Sequence, residues 1–420
     1  MALVLCKNVL KTSQFSLVSL SRGSSGVFSS CMLKNSYSKS ASEKTEENSP
    51  VTKSVFISQS SDVFTNLALE DWLYKNFDFT NHHVLLLWRN SPCVVIGRHQ
   101  NPWLEANTAN LSYQGVELAR RNSGGGTVYH DRGNLNLTFF TPRNKYNRRN
   151  NLEIISRALY REWGIETSIS PREDVIVEEN YKQISGTASK LGRPNAYHHC
   201  TLLVDVNKIS LRQSLLKQDM GISTNATKSV PAPIINLCEI NRQVKIGKLL
   251  SAIGWEYLRT CPITFEDGGK EQISKQRGFQ MINPTESWFP GLEKIKEEFS
   301  SWDWCYGKTP KFEVTRSFPV CQETAGESTK ELKITLVVEK GIIQNVTLTV
   351  PPGIKSANGF HGEARVVTSL RGRRFSEEAV FILENSLQAM KFHENDLVHT
   401  VAVGKNDFLG NRRQHAIHSM

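Results

Sequence analysis

The stretch "RRNSGGGTVYHDRGN", residues 120–134, sets two arginines before three consecutive glycines, then an apolar and aromatic step and a His–Asp pair. Adjacent glycines let a backbone approach a ligand more closely than any side chain would permit, so that N–H groups can face a phosphate. The spacing is not GxxxxGK[ST], and the glycines do not open a helix as GxGxxG does, which excludes the common ATPase and dehydrogenase loops. What is left is a glycine-rich strand turn beside a guanidinium able to hold a phosphate or carboxylate through paired hydrogen bonds.

Outward from the glycines, "VELARR" leads in and "NLNLTFFT" alternates as a strand with Leu135, Leu137 and Phe139 on one face. Upstream, "SVFIS" (54–58) reads as a strand. "SSDVFTNLALEDWLYKNF" reads as a helix with a Ser/Asp cap, and "HVLLLWRN" and "CVVIG" as strands around the Ser91–Pro92 turn. "LEANTANLSYQG" predicts one helix ending at Gly115, and another covers 151–163. "DVIVE", "ISGTAS" and "HCTLLVDV" are short strands or strand-loops. Helices follow at about 208–218 and within 240–258. Pro, Gly and Trp punctuate the chain around 286–312, after which "ELKITLVVEKGIIQNVTLTV" predicts a β-hairpin and "FSEEAVFILENSL" a helix capped by Ser376. The sum is a mixed α+β chain with a domain boundary near 280.

A second constellation, "YKQISGTASKLGRPNAYHHCTLLVDVN" (181–207), places Lys182 just ahead of a small-residue turn, and a His-His pair at the opening of a strand. A lysine there is a candidate for neutralising an acyl carbonyl or a phosphate. Cys200 has two readings, a thioester-forming nucleophile beside His198 or His199 and a small residue packed at a strand start. His198, His199 and Cys200 lack further ligands at zinc spacing, so no metal is expected.

The composition narrows the class. At 420 residues the chain is long enough for two or three domains. No apolar run approaches the roughly 18 residues of a membrane span. The net charge is +10, which favours an anionic partner, yet no Lys/Arg block interleaves with aromatics as nucleic-acid binding would need. Eight cysteines lie scattered without a CxxC pair, fitting a reducing compartment. Residues 1–42 hold Lys7, Lys11, Arg22, Lys34 and Lys39, about a dozen serines and no acid before Glu43. That is the composition of a mitochondrial transit peptide.

The residues "RRNSGGGTVYHD.GN" and "K.ISGTASK......YHHCTLL" resemble the lipoate–protein ligase A family. "IGRHQNPW" (96–103) and "WFPG…YGKTPKF" (288–312) are similar to its mitochondrial lipoyltransferase branch. The resemblance runs from about residue 54 to 315 and thins beyond. It implies a biotin/lipoate-ligase catalytic domain, related to class II aminoacyl-tRNA synthetases, with a small C-terminal α/β accessory domain. The expected division is 1–50 transit peptide and linker, 51–280 catalytic domain, 281–395 accessory domain and 396–420 tail. Carried over by motif, Arg121, Gly126, Thr127, Val128 and Tyr129 hold an acyl-adenylate. Lys182 touches the activated carboxyl and is the catalytic residue, while Arg172, Thr201, Val230 and Ala232 also contact ligand. The apolar runs "HVLLLW" and "CVVIG" either wall a tunnel for the lipoyl chain or are ordinary sheet core.

One departure stands out: in the family a lysine directly precedes the apolar residue of "ISG", and here Gln183 intervenes. Either Lys182 is the functional lysine beside a one-residue bulge, the reading preferred from sequence, or Gln183 occupies its place, since a one-residue slip reverses the face. By resemblance, the chain is expected to move a lipoyl group from lipoyl-AMP, or from the glycine-cleavage H protein, to a lysine of lipoyl domains in 2-oxo acid dehydrogenase complexes in the mitochondrial matrix. No tightly bound cofactor is implied, and ATP with Mg²⁺ enters only if lipoate is activated. The rival readings are an ATP-dependent lipoate–protein ligase and a noncatalytic lipoyl-domain-binding protein.

Overall fold

The computed structural model describes residues 51–179, 181–217, 219–259, 276–320, 330–350, 362–365 and 369–381. The expected leader at 1–50, the tail at 396–420 and the later part of the helix after Ser376 lie outside the described residues.

β1 (Thr52–Ser58) leads into α1 (Val63–Asn76). The Asp62 carboxylate accepts from Thr65 N at 2.7 Å and closes the helix N-terminus, a cap worth about 1 kcal/mol. β2 (His82–Trp88) and β3 (Cys93–Ile96) follow. The single helix expected before Gly115 is two, α2 (Pro102–Glu105) and α3 (Thr108–Gln114), because Asn101 and Asn107 each cap a new first turn. β4 (Glu117–Arg120) and β5 (Val128–His130) flank the glycines, and β6 (Asn134–Pro142) and α4 (Arg148–Trp163) come next. After β7 (Thr167–Ile169) and β8 (Val175–Val177) stand β9 (Ser185–Leu191) and β10 (Asn195–Leu203). "SGTAS" is thus strand, as the reading of "ISGTAS" among the short strands has it and not the turn expected after Lys182, and the His pair sits inside β10 instead of opening it. Then come α5 (Lys208–Ser214), β11 (Ile222–Thr224), α6 (Leu237–Ile240), α7 (Ile246–Arg259) and β12 (Gly278–Ile282). The rest comprises α8 (Leu292–Ser300), α9 (Trp302–Cys305), β13 (Phe312–Val320), β14 (Lys330–Glu339), β15 (Ile342–Val350) and β16 (Gly362–Arg365).

A six-stranded sheet runs β12-β1-β2-β6-β10-β9. The β12-β1-β2 pairs are parallel and the others antiparallel. Alternation along each strand sorts side chains between two buried faces. Val55, Leu85, Leu87, Leu137, Phe139 and Leu202 pack with α4 and α7. Phe56, Val84, Leu86, Trp88, Phe140 and Tyr197 face α1 and α8. On that second face β6 also presents Asn134, Asn136 and Thr138, all fully buried. The polar half of its alternation is therefore an interior surface. A small sheet, β4-β3-β5, lies on this side, with Cys93, Val95 and Ala119 joining Trp88 and Tyr197 in one core.

The chain around the expected boundary near 280 stays with the first core. β12 pairs with β1, Trp72 Nε1 donates to Pro290 O at 2.9 Å, and the Trp72 and Phe289 rings meet edge-on at 5.0 Å. The second sheet begins at Phe312 and is wholly antiparallel, β11-β13-β14-β15-β16. Its core includes Val314, Leu336 and Ile343, with Trp103 and Phe375 packed against Phe312. β11 reaches it from the loop after α5, so the two sheets are tied through the segment that also borders the candidate site.

Candidate active site

The two arginines that open the glycine segment turn to different tasks, as successive strand residues must. Arg120 is fully buried and donates to the carbonyls of Gly97, Arg98, Gln100, Trp304 and Cys305 and to Thr309 Oγ1, at 2.8–3.3 Å. It fastens the glycine segment to α9 and the chain after it. Arg121, on the other face, donates to Gly124 O at 2.8 and 3.3 Å, to Gly126 O at 2.7 Å and to Val95 O at 3.2 Å. Burial pulls its guanidinium down to about 10, partly offset by Tyr197 and Glu70. It stays cationic at neutral pH and curls the loop around itself. Close approach fixes two glycines. A Cβ on Gly97 would lie 2.1 Å from Gly125 O, and Gly125 has φ +97° with Arg121 Nη2 2.9 Å from where its Cβ would stand.

A second clasp comes from the loop after β11. Ser229 Oγ accepts from Thr127 N at 2.8 Å and from Gln100 Nε2 at 3.0 Å, while Ser229 N donates to Glu105 Oε1 at 3.1 Å. Gln100, fully buried, accepts from Gly97 N at 2.8 Å and Thr127 Oγ1 at 2.9 Å. On the far side the loop meets β9, where Gly186 N donates to Thr201 Oγ1 at 3.0 Å.

These walls enclose a cavity of about 790 Å³. Arg121, Gly126, Thr127, Val128, Tyr129, Arg172, Thr201, Val230 and Ala232, all named from the sequence, line this one space. Lys182 does not. Its side chain is exposed, Ile184 beyond it is fully buried in the core shared with α4, and the residue between them that lines the cavity is Gln183. The backbone fixes this placement: Val177 N donates to Lys182 O, Gln183 N to Pro233 O and Ile235 N to Gln183 O. Of the two alternatives weighed from sequence, Gln183 lines the cavity and Lys182 stands on the exposed side. "HVLLLW" and "CVVIG" are also sheet core rather than tunnel wall, since none of their residues lines the cavity.

Buried charge stiffens the floor. α1 is covered nearly all round and carries two carboxylates inward. Glu70 Oε1 accepts from Thr138 Oγ1 at 2.7 Å and pairs with His199 Nδ1 at 3.0 Å, and His199 lines the cavity. Asp71 accepts from Asn122 Nδ2 at 2.6 Å and pairs with Lys190 at 2.9 Å and Lys75 at 2.6 Å. Burial opposes ionisation of Asp71, but Lys190 and Lys75 outweigh it and hold the carboxyl below its usual range. Cys200 is fully buried in the opposite core, and burial pushes its thiol far up, so it is a packing residue and not an exposed thiolate. His198 and His199 point to opposite faces, and no cluster of three metal-ligating side chains occurs among the described residues.

Gln100, Glu105 and Ser229 carry the site's geometry without having been assigned roles from sequence, whereas Gln183 was weighed there as the alternative to Lys182. Gln100 stands within "IGRHQNPW", Glu105 two residues beyond it and Ser229 directly before Val230, but their joint appears only when the loops meet in space.

Residues 62–256 match the lipoyl protein ligase A/B catalytic domain. The chain is 42% identical over 306 residues to the mitochondrial lipoyl amidotransferase of Mus musculus, covering 72% of this chain and 78% of that protein. It is 38% identical over 256 residues to a lipoate-protein ligase A of Psychrobacter cryohalolentis, covering 59% and 70%. Among solved structures it resembles LipL1 of P. falciparum in complex with lipoate, with a TM-score of 0.52 at 26% identity, covering 81% of this chain and 98% of that one. The sheet, the glycine loop and these likenesses agree, and the chain belongs to the lipoyl protein ligase A/B family.

Proposed function

We propose that the chain is a mitochondrial lipoyltransferase, an acyltransferase working in the matrix, which takes an activated lipoyl group into the cavity and passes it to a lysine of a lipoyl domain. The observation that carries this reading is that nine residues named from the sequence, spread from Arg121 to Ala232, line one cavity in a chain 42% identical to a lipoyl amidotransferase. The backbone around Gly126 and Thr127 lies against the adenylate of lipoyl-AMP, and Arg121 keeps that backbone in shape. Arg172, Arg212, Lys217 and Lys228 line the cavity with exposed side chains and meet the phosphate and the approaching acidic acceptor. The acceptor amine attacks the acyl carbon, a C–N bond forms, the C–O bond to phosphate breaks, AMP leaves with the electron pair, and the ammonium proton passes to solvent. With lipoylated H protein as donor, the donor lysine leaves as the amine and takes that proton.

Donor choice is tested with the full chain and an apo-lipoyl domain of a 2-oxo acid dehydrogenase complex, read by intact mass. Lipoyl-AMP and lipoylated H protein are expected to give an acceptor heavier by one lipoyl group. Product from lipoate plus ATP–Mg²⁺ at an equal rate would make the chain a ligase. Binding of lipoyl-AMP and acceptor without product from any donor would make it a noncatalytic binding protein.

A further inference from the structure

Two carboxylates line the cavity among the described residues, Glu105 and Asp174. Glu105 is committed: Oε1 accepts from Ser229 N at 3.1 Å and Oε2 pairs with Lys217 at 3.2 Å. Asp174 is only 9% exposed, yet its carboxylate makes no hydrogen bond or ion pair among the described residues. What holds it in place is its backbone. Asp174 N donates to Ser170 Oγ at 3.1 Å, Ser170 N donates to Asp174 O at 2.9 Å, and the next amide, Val175 N, donates to Ser185 Oγ at 2.7 Å. That last bond ties Asp174 to the start of β9, next to Gly186, where a Cβ would stand 3.5 Å from Val128 Cγ1. The carboxylate therefore borders the junction of β9 with the glycine segment. The groups that sense its charge are Arg172 and Glu173 beside it, Arg148 of α4 and the neutral Cys200 thiol of β10. Burial raises its carboxyl above the usual range, and Arg172 and Arg148 offset only part of this; Arg148 pairs instead with Glu173 at 3.0 Å.

We infer that Asp174 receives the ammonium of the acceptor lysine and is the general base that frees its lone pair for acyl transfer. The inference deepens the lipoyltransferase reading and rests on it. A lysine arrives at neutral pH as an ammonium, which cannot attack a carbonyl. It must also pass a mouth that carries Arg172, Arg212, Lys217 and Lys228, and like charges repel it unless a carboxylate receives it. An unpartnered carboxylate in a poorly solvated wall does both tasks. The ammonium gives one proton to an Asp174 oxygen, which removes the charge from both groups where water solvates neither well. The nitrogen lone pair then forms the C–N bond, the C–O bond to phosphate breaks and AMP takes its electron pair. The second nitrogen proton goes to solvent, and Asp174 returns the first to solvent when the product leaves. His199, the other basic group with a lone pair in the lining, has its Nδ1 held by Glu70 at 3.0 Å.

The test compares the wild-type full chain with Asp174→Asn, using lipoyl-AMP and an apo-lipoyl domain, with kcat followed from pH 7 to pH 9 and the reaction without enzyme subtracted. Asparagine keeps the shape and removes an unpartnered buried charge, so melting should not fall. At pH 7 the variant should lose about 10²-fold or more in kcat, the size of a general-base contribution. A nonreactive lipoyl-adenylate analogue should bind it within about threefold of wild type. The pH profiles should also part. Wild type stays flat between the titration of Asp174 and that of the acceptor lysine, whereas the variant depends on free amine and climbs about tenfold per pH unit toward the lysine value of about 10.4. A kcat within twofold of wild type would overturn the inference, as would a lower kcat with the flat profile retained. Weaker analogue binding with kcat unchanged would overturn it too, by placing Asp174 in the donor subsite. If the variant does not fold, the wild-type profile decides alone: a rate that itself climbs tenfold per unit from pH 7 to pH 9 shows that no base acts. No product from wild type at any pH would instead remove the transferase reading, and the inference with it.

Discussion

Replacing Arg121 by lysine keeps the charge and removes the fork, which separates two roles for this residue. In the structure its guanidinium satisfies three carbonyls, those of Val95, Gly124 and Gly126, and the two shortest contacts are 2.7 and 2.8 Å. A lysine ammonium reaches at most one of them in the same geometry. Two carbonyls then lose a partner at about 1–3 kcal/mol each. Water entering from the cavity recovers part of this, so about 2 kcal/mol in favour of a released loop is the working figure. A ligand that needs the ordered loop should then bind about 30-fold more weakly, since its apparent affinity falls with the competent fraction. The assay is calorimetric titration with a nonreactive lipoyl-adenylate analogue, repeated with an uncharged analogue of the same shape. A loop anchor predicts the same fold loss for both ligands. A loss confined to the charged ligand would refute the reasoning and make Arg121 a direct partner of the phosphate; an unchanged Kd for both would refute it by showing that the loop does not depend on the fork.

Arg120→Ala should cost about 4 kcal/mol or more, because it strands several buried carbonyls at once; a urea midpoint within error of wild type would contradict the anchoring of α9 to the loop. Cys200→Ala should lose about 1 kcal/mol of stability from a small cavity and retain lipoyl transfer within twofold; abolished transfer in a folded variant would revive a thioester route. Stability should also fall with acid before most carboxylates titrate. Burial, Arg277 and the neighbouring histidine hold His82 at about 4, and burial with Lys53 and Lys145 does the same for His83. Both folded values lie below the unfolded value of about 6.5, so the unfolded chain binds more protons between pH 6.5 and 4. Their contribution is complete above 6.5 and falls by up to roughly 1.4 kcal/mol per pH unit per histidine below it. A melting temperature unchanged from pH 7 to pH 5 would contradict this.

Much of the fold is legible because local pattern and packing agree. The Ser/Asp cap before Val63, the apolar face of β6 and the β14–β15 hairpin all appear where alternation and capping place them. The misses have specific causes. Asn107 divides a helix because its side chain caps a new first turn, a competition that apolar spacing alone does not reveal. The polar residues of β6 look like a solvent face and instead form buried contacts beneath the small sheet, which no two-residue period can distinguish. The glycine loop was legible from its composition, and nine residues carried over from the family motifs gather at one cavity. Arg121 reads in sequence as the anion's partner because a guanidinium beside glycines has that chemistry; whether it spends its hydrogens on the loop's own carbonyls is a matter of loop shape. Likewise, the choice between Lys182 and Gln183 depends on a hairpin register set by Val177, Pro233 and Ile235, which are distant in sequence from the glycines.

The most direct measurement of the central claim is the intact mass of an apo-lipoyl domain after incubation with the full chain and lipoyl-AMP, followed by mapping of the modified residue. The account predicts one added lipoyl group, on one lysine, at a rate that falls when Arg121 is replaced. An acceptor of unchanged mass, with both acceptor and lipoyl-AMP bound, would contradict it.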